Sequence, residues 1–187
     1  MGTIGNNMTG GDVVTFLKAQ HEQVRTLFQL VFETSGDERA SAFHALRRTL
    51  AVHETAEEEI VHPAARQALP DGDIVVAMRL AEERAAKEML VELESIDLDT
   101  EAFERGLVSL EQAILTHSDA EEVTEFDRLA NELDPTRLER MQRAVEFAET
   151  IAPTRPHPGI ESRAANLFVG PFASMIDRAR DAIQRVK

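Results

Sequence analysis

Apolar residues recur at three- and four-residue steps through most of the chain, and no stretch shows the strict alternation or β-branched enrichment of a strand. The pattern predicts an all-α protein. Turn-forming residues punctuate it at Ser35-Gly36-Asp37, Pro70-Asp71-Gly72, Asp97 to Thr100, Asp134-Pro135 and Pro153 to Gly159. Six helices fall between them, at about 12–34, 37–69, 73–96, 100–133, 135–151 and 161–186, with Asp12, Asp37, Asp73, Thr100 and Asp134 as N-caps. Short connectors make the first four antiparallel neighbours, an up-down-up-down four-helix bundle over 12–133. Residues 134–187 are additional C-terminal helices with a Pro-rich linker at 153–159 that cannot be helical. The last helix, with a kink expected at Gly170-Pro171, is free to dock elsewhere or on a second subunit, as in a homodimer.

Each bundle helix has an inward seam that is apolar at its ends and polar near its middle. Helix one gives Val14, Leu17, His21, Val24, Phe28 and Val31; helix two gives Phe43, Leu46, Leu50, His53, Glu57, Ile60 and Ala64. Helix three gives Val76, Leu80, Glu83, Lys87 and Leu90. Helix four gives Phe103, Leu107, Leu110, Ile114, His117 and Glu121, after which the apolar line steps sideways to Glu122, Phe126, Leu129 and Leu133. Antiparallel packing brings these breaks to one level. Buried carboxylates without partners are destabilising by several kcal/mol each, and Lys87 is the one seam cation, so a bound metal explains the pattern. Three imidazoles and at least three carboxylates exceed what one tetrahedral zinc needs and suit two octahedral ions with room for an exogenous ligand. Imidazole with carboxylate suits iron, zinc or manganese.

The other histidines fit less well. His44 and His62 each stand nine residues from His53, about 180° around an α-helix, which places His44 at the surface and leaves His62 at most a supporting role. His157 lies in the proline stretch, and Glu58 and Glu59 are expected to be solvated.

Composition narrows the partners. Twenty Lys and Arg stand against 34 Asp and Glu, a formal charge of −14, which sets the chain against nucleic acid and anionic membranes. No apolar run approaches the ~18 residues of a spanning helix, and the start lacks the basic and apolar regions of a secretory leader. The expected location is cytoplasmic. The absence of Cys excludes disulfides, thiolate metal sites and iron–sulfur clusters. Small molecules, cations and other proteins remain as partners.

The segments Gln20-His21-Glu22, His53-Glu-Thr-Ala-Glu57-Glu-Glu-Ile-Val-His-Pro63 and His117-Ser-Asp-Ala-Glu121-Glu122 resemble the hemerythrin family, in the form of the HHE cation-binding domain and more narrowly its actinobacterial members. The specific part is the H-x-x-x-E-E pair repeated on helices two and four, in phase with an upstream His. The resemblance covers about residues 12–133. It implies that His21, His53 and His117 are iron-bound imidazoles and that Glu57 bridges two iron ions, oxo-bridged and diferric at rest. On helix four the family uses both a four- and a five-residue step from His to acid, so Glu121 and Glu122 are both candidates. On helix three the oxygen carriers have two histidines where this chain has Glu83 and Lys87. The spacing from Glu83 to His117 nearly repeats that from His21 to His53, so Glu83 looks like a carboxylate ligand in place of histidine; an ion pair with Lys87 is the competing reading.

Three carboxylates stabilise ferric over ferrous iron, which disfavours reversible oxygen carriage. The resemblance then implies a cytoplasmic di-iron protein that consumes hydrogen peroxide or nitric oxide, with catalase-like or peroxidase-like turnover. The alternative is a non-catalytic sensor or buffer of iron or oxygen.

Overall fold

Helix α1 (Val13–Glu33) begins where the Asp12 carboxylate accepts a hydrogen bond from the Thr15 amide at 2.9 Å, satisfying a donor that the helix itself leaves open. The same device starts two later helices: Thr100 Oγ1 accepts from the Phe103 amide at 3.3 Å, and Asp134 accepts from the Arg137 amide at 3.0 Å. Asp37 and Asp73 do not cap. Ser35 and Asp71 hold those positions, and the two aspartates lie inside the first turn, where their charge still complements the helix dipole.

The computed structural model describes residues 11–151 and 172–184. Among these residues every regular element is helical, so the chain is all-α. Helix α2 (Gly36–Ala56), the π-helical segment π1 (Glu57–Val61) and α3 (His62–Ala68) run on as one rod. Helix α4 (Gly72–Glu94) follows, and α5 (Glu101–Glu121), π2 (Glu122–Phe126) and α6 (Asp127–Glu132) form a second continuous rod. Helices α7 (Pro135–Ile151) and α8 (Phe172–Gln184) complete the order. The proline stretch with His157, and the Gly170-Pro171 kink, lie outside the described residues.

Helix α1 packs on α2, and α4 on α5. The buried apolar residues form two large clusters, with Val52 and Ala179 as a small third. One contains Phe28, Phe43, Leu46, Leu90, Phe103 and Leu107; the other contains Leu17, Val61, Val76, Phe126, Leu129 and Val145. His21, His53, Glu83, His117 and Glu121 lie between them in sequence on the four rods, with Glu57 just past Ala56, so the bundle has a polar layer enclosed by two apolar ones. Helix α8 packs against α2 and α7 of its own chain, with Phe172, Met175 and Ala179 buried. Its described apolar face therefore finds cover without a second subunit. Arg180 reaches back to Glu58 at 3.1 Å and Glu59 at 3.5 Å, so these two glutamates are half-buried and paired rather than solvated.

The turn from α3 into α4 is tight enough to demand glycine. A Cβ on Gly72 would collide with the Ala65 carbonyl oxygen and stand 2.8 Å from Arg66 Cα, both backbone atoms that cannot rotate away. Gly72→Ala should therefore lower stability by about 1–3 kcal/mol, as overpacking does, and chemical denaturation would measure it.

Candidate metal centre

A π-turn inserts about one residue into a helical turn, so everything beyond it is rotated by roughly 100° relative to an unbroken α-helix. Both rods that carry an H-x-x-x-E pair contain one, placed directly after the pair's interior. Their effect is to turn further donors inward. His62, expected to face away, is buried on the cluster side, and Glu125, which the seam did not include, is fully buried too. His44 stays off the layer, half-buried on α2.

Eight side chains thus converge: His21, His53, Glu57, His62, Glu83, His117, Glu121 and Glu125, all buried. They form three overlapping sets whose donor atoms lie within 4.8 Å of one another. The first is His21, His53, Glu57 and Glu121; the second is Glu57, Glu83 and His117; the third is His62, Glu121 and Glu125. Glu57 belongs to the first two and Glu121 to the first and third. Of the helix-four candidates, Glu121 is the inward one. The Glu122 side chain is 28% exposed and instead accepts from His21 Nδ1 at 2.8 Å.

The histidines are oriented from behind. His53 Nδ1 bonds Gln20 Oε1 at 2.9 Å and His117 Nδ1 bonds Glu82 Oε2 at 3.0 Å, completing with His21 a set in which each Nδ1 is held and each Nε2 points into the layer. That is how metal-binding imidazoles are fixed in tautomer and direction. With each Nδ1 held from behind, the Nε2 atoms of His21 and His53 stand 3.0 Å apart, a spacing that needs a proton or a cation between them. His53 Nε2 is also 2.9 Å from Glu57 Oε1, and His21 Nε2 is 3.4 Å from Glu121 Oε2. Neither oxygen of Glu57 or of Glu121 makes a hydrogen bond, nor does His117 Nε2. Buried acceptors turned on one another are repulsive, and a cation among them converts the repulsion to attraction. The donor set fits a metal.

Without one, protons carry the balance. Burial, then the charge of Glu83, pushes Glu57 up to about 8. Burial, then Glu57, pushes Glu121 up to about 7. Burial, then the positive charge of His21, pulls His53 down to about 3. Glu83 differs: burial raises it, but the hydrogen bond and charge of His62, with the charge of Lys87, outweigh that and hold it below the usual carboxylate range. Lys87 lies 3.2 Å from Glu83 Oε2, so the ion pair named as the competing reading exists, yet Glu83 is buried within the second set rather than on the surface.

The split between Glu121 and Glu122 sets up a comparison. Glu121→Gln should lose bound metal, whereas Glu122→Gln should keep the stoichiometry and weaken affinity about tenfold, the scale of a supporting hydrogen bond to a ligand imidazole. Metal analysis after dialysis against graded chelator concentrations would separate them.

The chain is 27% identical over 138 residues to an uncharacterised hemerythrin-like protein of Schizosaccharomyces pombe, covering 73% of this chain and 68% of that one. It is 25% identical over 154 residues to a DNA nickase of Nostoc sp., covering 78% of this chain but only 42% of the nickase. The crystal structure of a hemerythrin HHE cation-binding-domain-containing protein from Mycobacterium kansasii superposes with a TM-score of 0.64 at 19% identity, over 84% of this chain and 98% of that one. It shares the fold. The family model described as hemerythrin HHE cation binding domain matches residues 12–129, most of the chain and the whole of the His/Glu layer. The protein therefore belongs to the hemerythrin HHE cation-binding domain family.

Proposed function

We propose that the polar layer holds two iron ions and that the loaded protein consumes hydrogen peroxide or nitric oxide. His21, His53, Glu57 and Glu121 would hold the first ion; Glu57, Glu83 and His117 would hold the second, with Glu57 common to both. The observation that carries the reading is the second set, which has one imidazole and two carboxylates. Hard anionic oxygen donors favour ferric over ferrous iron, and a pair resting diferric and oxo-bridged is a poor oxygen carrier. When bound, such a pair supplies Lewis acidity and electron storage to a small oxidant.

The chain's own residues bind, orient and enclose. Gln20, Glu82 and Glu122 fix the imidazole planes, and the Phe126 ring stacks on His21 with centroids 5.6 Å apart, covering that side with apolar surface. Every proposed ligand is almost wholly buried, which suits a reactant no larger than a small molecule. No helix among the described residues is long and apolar enough to cross a membrane, and the −14 charge disfavours phosphate backbones, so the nickase's substrate is not carried over. We place the protein in the cytoplasm.

The test is metal analysis of protein expressed with iron, followed by oxygen evolution from peroxide and nitric oxide consumption per iron pair. About two irons per chain with turnover is the expected result. Iron without turnover would leave a sensor or buffer, and no metal above trace would remove the reading. Glu83→His should raise the reduction potential and slow peroxide consumption, with Glu83→Gln separating loss of charge from change of shape.

A further inference from the structure

His62 and Glu125 enter the layer only because both long rods contain a π-turn, and they enter it in contact. His62 Nδ1 lies 2.9 Å from Glu125 Oε1, and His62 Nε2 lies 2.7 Å from Glu83 Oε1. All three residues are fully buried and come from three different rods. The contrast with the other imidazoles is informative. His21, His53 and His117 each spend Nδ1 on a supporting acceptor and turn Nε2 into the layer, whereas both ring nitrogens of His62 are taken up by carboxylates.

Glu83 is correspondingly held at both ends. Oε1 is bound by His62, and Oε2 lies 3.2 Å from Lys87 Nζ, which is itself 3.2 Å from Glu54 and 2.5 Å from Glu58. A glutamate carboxylate otherwise turns easily about its last torsion, where the energy is broad and two-fold. Here the imidazole plane is set by Glu125, so the direction of the N–H offered to Glu83 is set as well. Each carboxylate oxygen keeps a further lone pair. A donor oxygen of Glu83 lies within 4.8 Å of donors from Glu57 and His117.

We propose that His62, seated on Glu125, is a positioning residue that clamps the Glu83 carboxylate and thereby presents a fixed oxygen donor to the second metal position. The inference rests on the proposed two-metal reading. It explains how a helix-three carboxylate can stand where a stiff imidazole would otherwise give direction: the stiffness comes from the imidazole behind it.

The test uses metal-free full-length protein titrated with Co(II), whose d–d absorption reports coordination and whose paramagnetism shifts the N–H protons of bound imidazoles. Wild type should take up two equivalents and show three far-shifted imidazole N–H signals. H62L should keep the first equivalent, weaken the second at least about tenfold and change its d–d spectrum, the scale of a lost supporting contact. H62Q, which keeps one N–H for Glu83, should recover most of the affinity; a merely structural role would not be rescued selectively at the second equivalent. If H62L does not fold, E125Q decides: replacing the charged anchor by a neutral one should weaken only the second equivalent, about threefold, and no change there overturns the proposal. Two equivalents indifferent to H62L and H62Q overturn the role of His62 alone. A fourth shifted imidazole signal, or a third equivalent lost in E125Q, would make His62 a ligand with Glu121 and Glu125 and overturn it too. A wild-type chain that binds no cobalt removes the metal reading and this role together.

Discussion

Stripping the metal should cost the protein about 10 °C or more in melting temperature, and the deficit should widen as pH rises from about 5 to 8. In the metal-free fold, Glu57 keeps its proton up to about 8 and Glu121 up to about 7, while both release it near 4.5 once unfolded. Between those values the folded state binds more protons than the unfolded one, so stability falls as pH rises. His62 acts in the same direction on the alkaline side. Against burial, its bonds to Glu125 and Glu83 push it up to about 11, so its contribution is complete below 6.5 and is lost as pH climbs through 11. On the acid side His53 is neutral when folded down to about 3 but charges near 6.5 when unfolded, and stability is lost as pH falls across that window. Glu83, held below its usual range, is lost the same way in acid. The metal-free protein should therefore be most stable near pH 4.5, above which the two glutamates outweigh the single opposing His53. The loaded protein should behave oppositely, because metal binds deprotonated ligands and its affinity grows with pH. Several kcal/mol in a chain of 187 residues is ten degrees or more. Thermal melts of chelated and iron-loaded protein across this range would show diverging curves. Parallel curves would mean that the buried carboxylates are not where the metal sits.

Glu57→Leu should abolish binding at both positions, since Glu57 is the residue the first two donor sets share. It should also make the metal-free protein more stable at pH 8. Glu57 has no exposure, and burial with the charge of Glu83 outweighs the favourable charges of His21 and His62, so its own charge is a net burden in the absence of metal that an apolar side chain of similar volume relieves. A variant that loses its ligand and gains stability is hard to explain by general damage to the fold. His44→Ala, one helix face away, should leave metal content untouched. Metal analysis and melts of the three proteins check both parts. Retention of one full metal in Glu57→Leu would show that the carboxylate is not shared.

Sequence periodicity carried most of the architecture. The six helices and short connectors follow from apolar spacing because amphipathic stripes and turn residues are local signals. The cap errors at Asp37 and Asp73 are small and have a common cause: an acidic residue stabilises a first turn from inside as well as from its cap. The layer itself was legible in His21, His53, Glu57, Glu83, His117 and Glu121, since a polar residue on an apolar stripe is conspicuous. His62 and Glu125 were not, because the rotation argument assumes an unbroken α-helix. On helix four a clue was present, the sideways step of the apolar line from Glu121 to Phe126, a five-residue interval that an α-helix does not make but a π-turn does. On helix two the clue was hidden. Ile60 and Val61 are both apolar, as are Ala64 and Ala65, so the stripe reads as continuous in either register. Only the structure distinguishes the first pair, with Val61 buried and Ile60 half-buried, while Ala64 and Ala65 are both buried.

The two π-turns also separate what the chain needs in order to fold from what it needs in order to bind. Each is in effect a one-residue insertion that the helix has absorbed by widening a single turn. Were the turn at Glu57–Val61 to relax to ordinary α-helical winding at unchanged length, everything beyond it would rotate by roughly 100°. The apolar alternatives at 60, 61, 64 and 65 would still offer the bundle a buried stripe. His62 would swing out of the layer, and Glu83 would lose one side of its clamp. The winding of this one turn thus decides the donor set without any rebuilding of the core. In a lineage, a chain one residue shorter between His53 and Pro63 would keep the same donor set on ordinary α-helical winding, because its histidine would stand eight residues after His53 rather than nine.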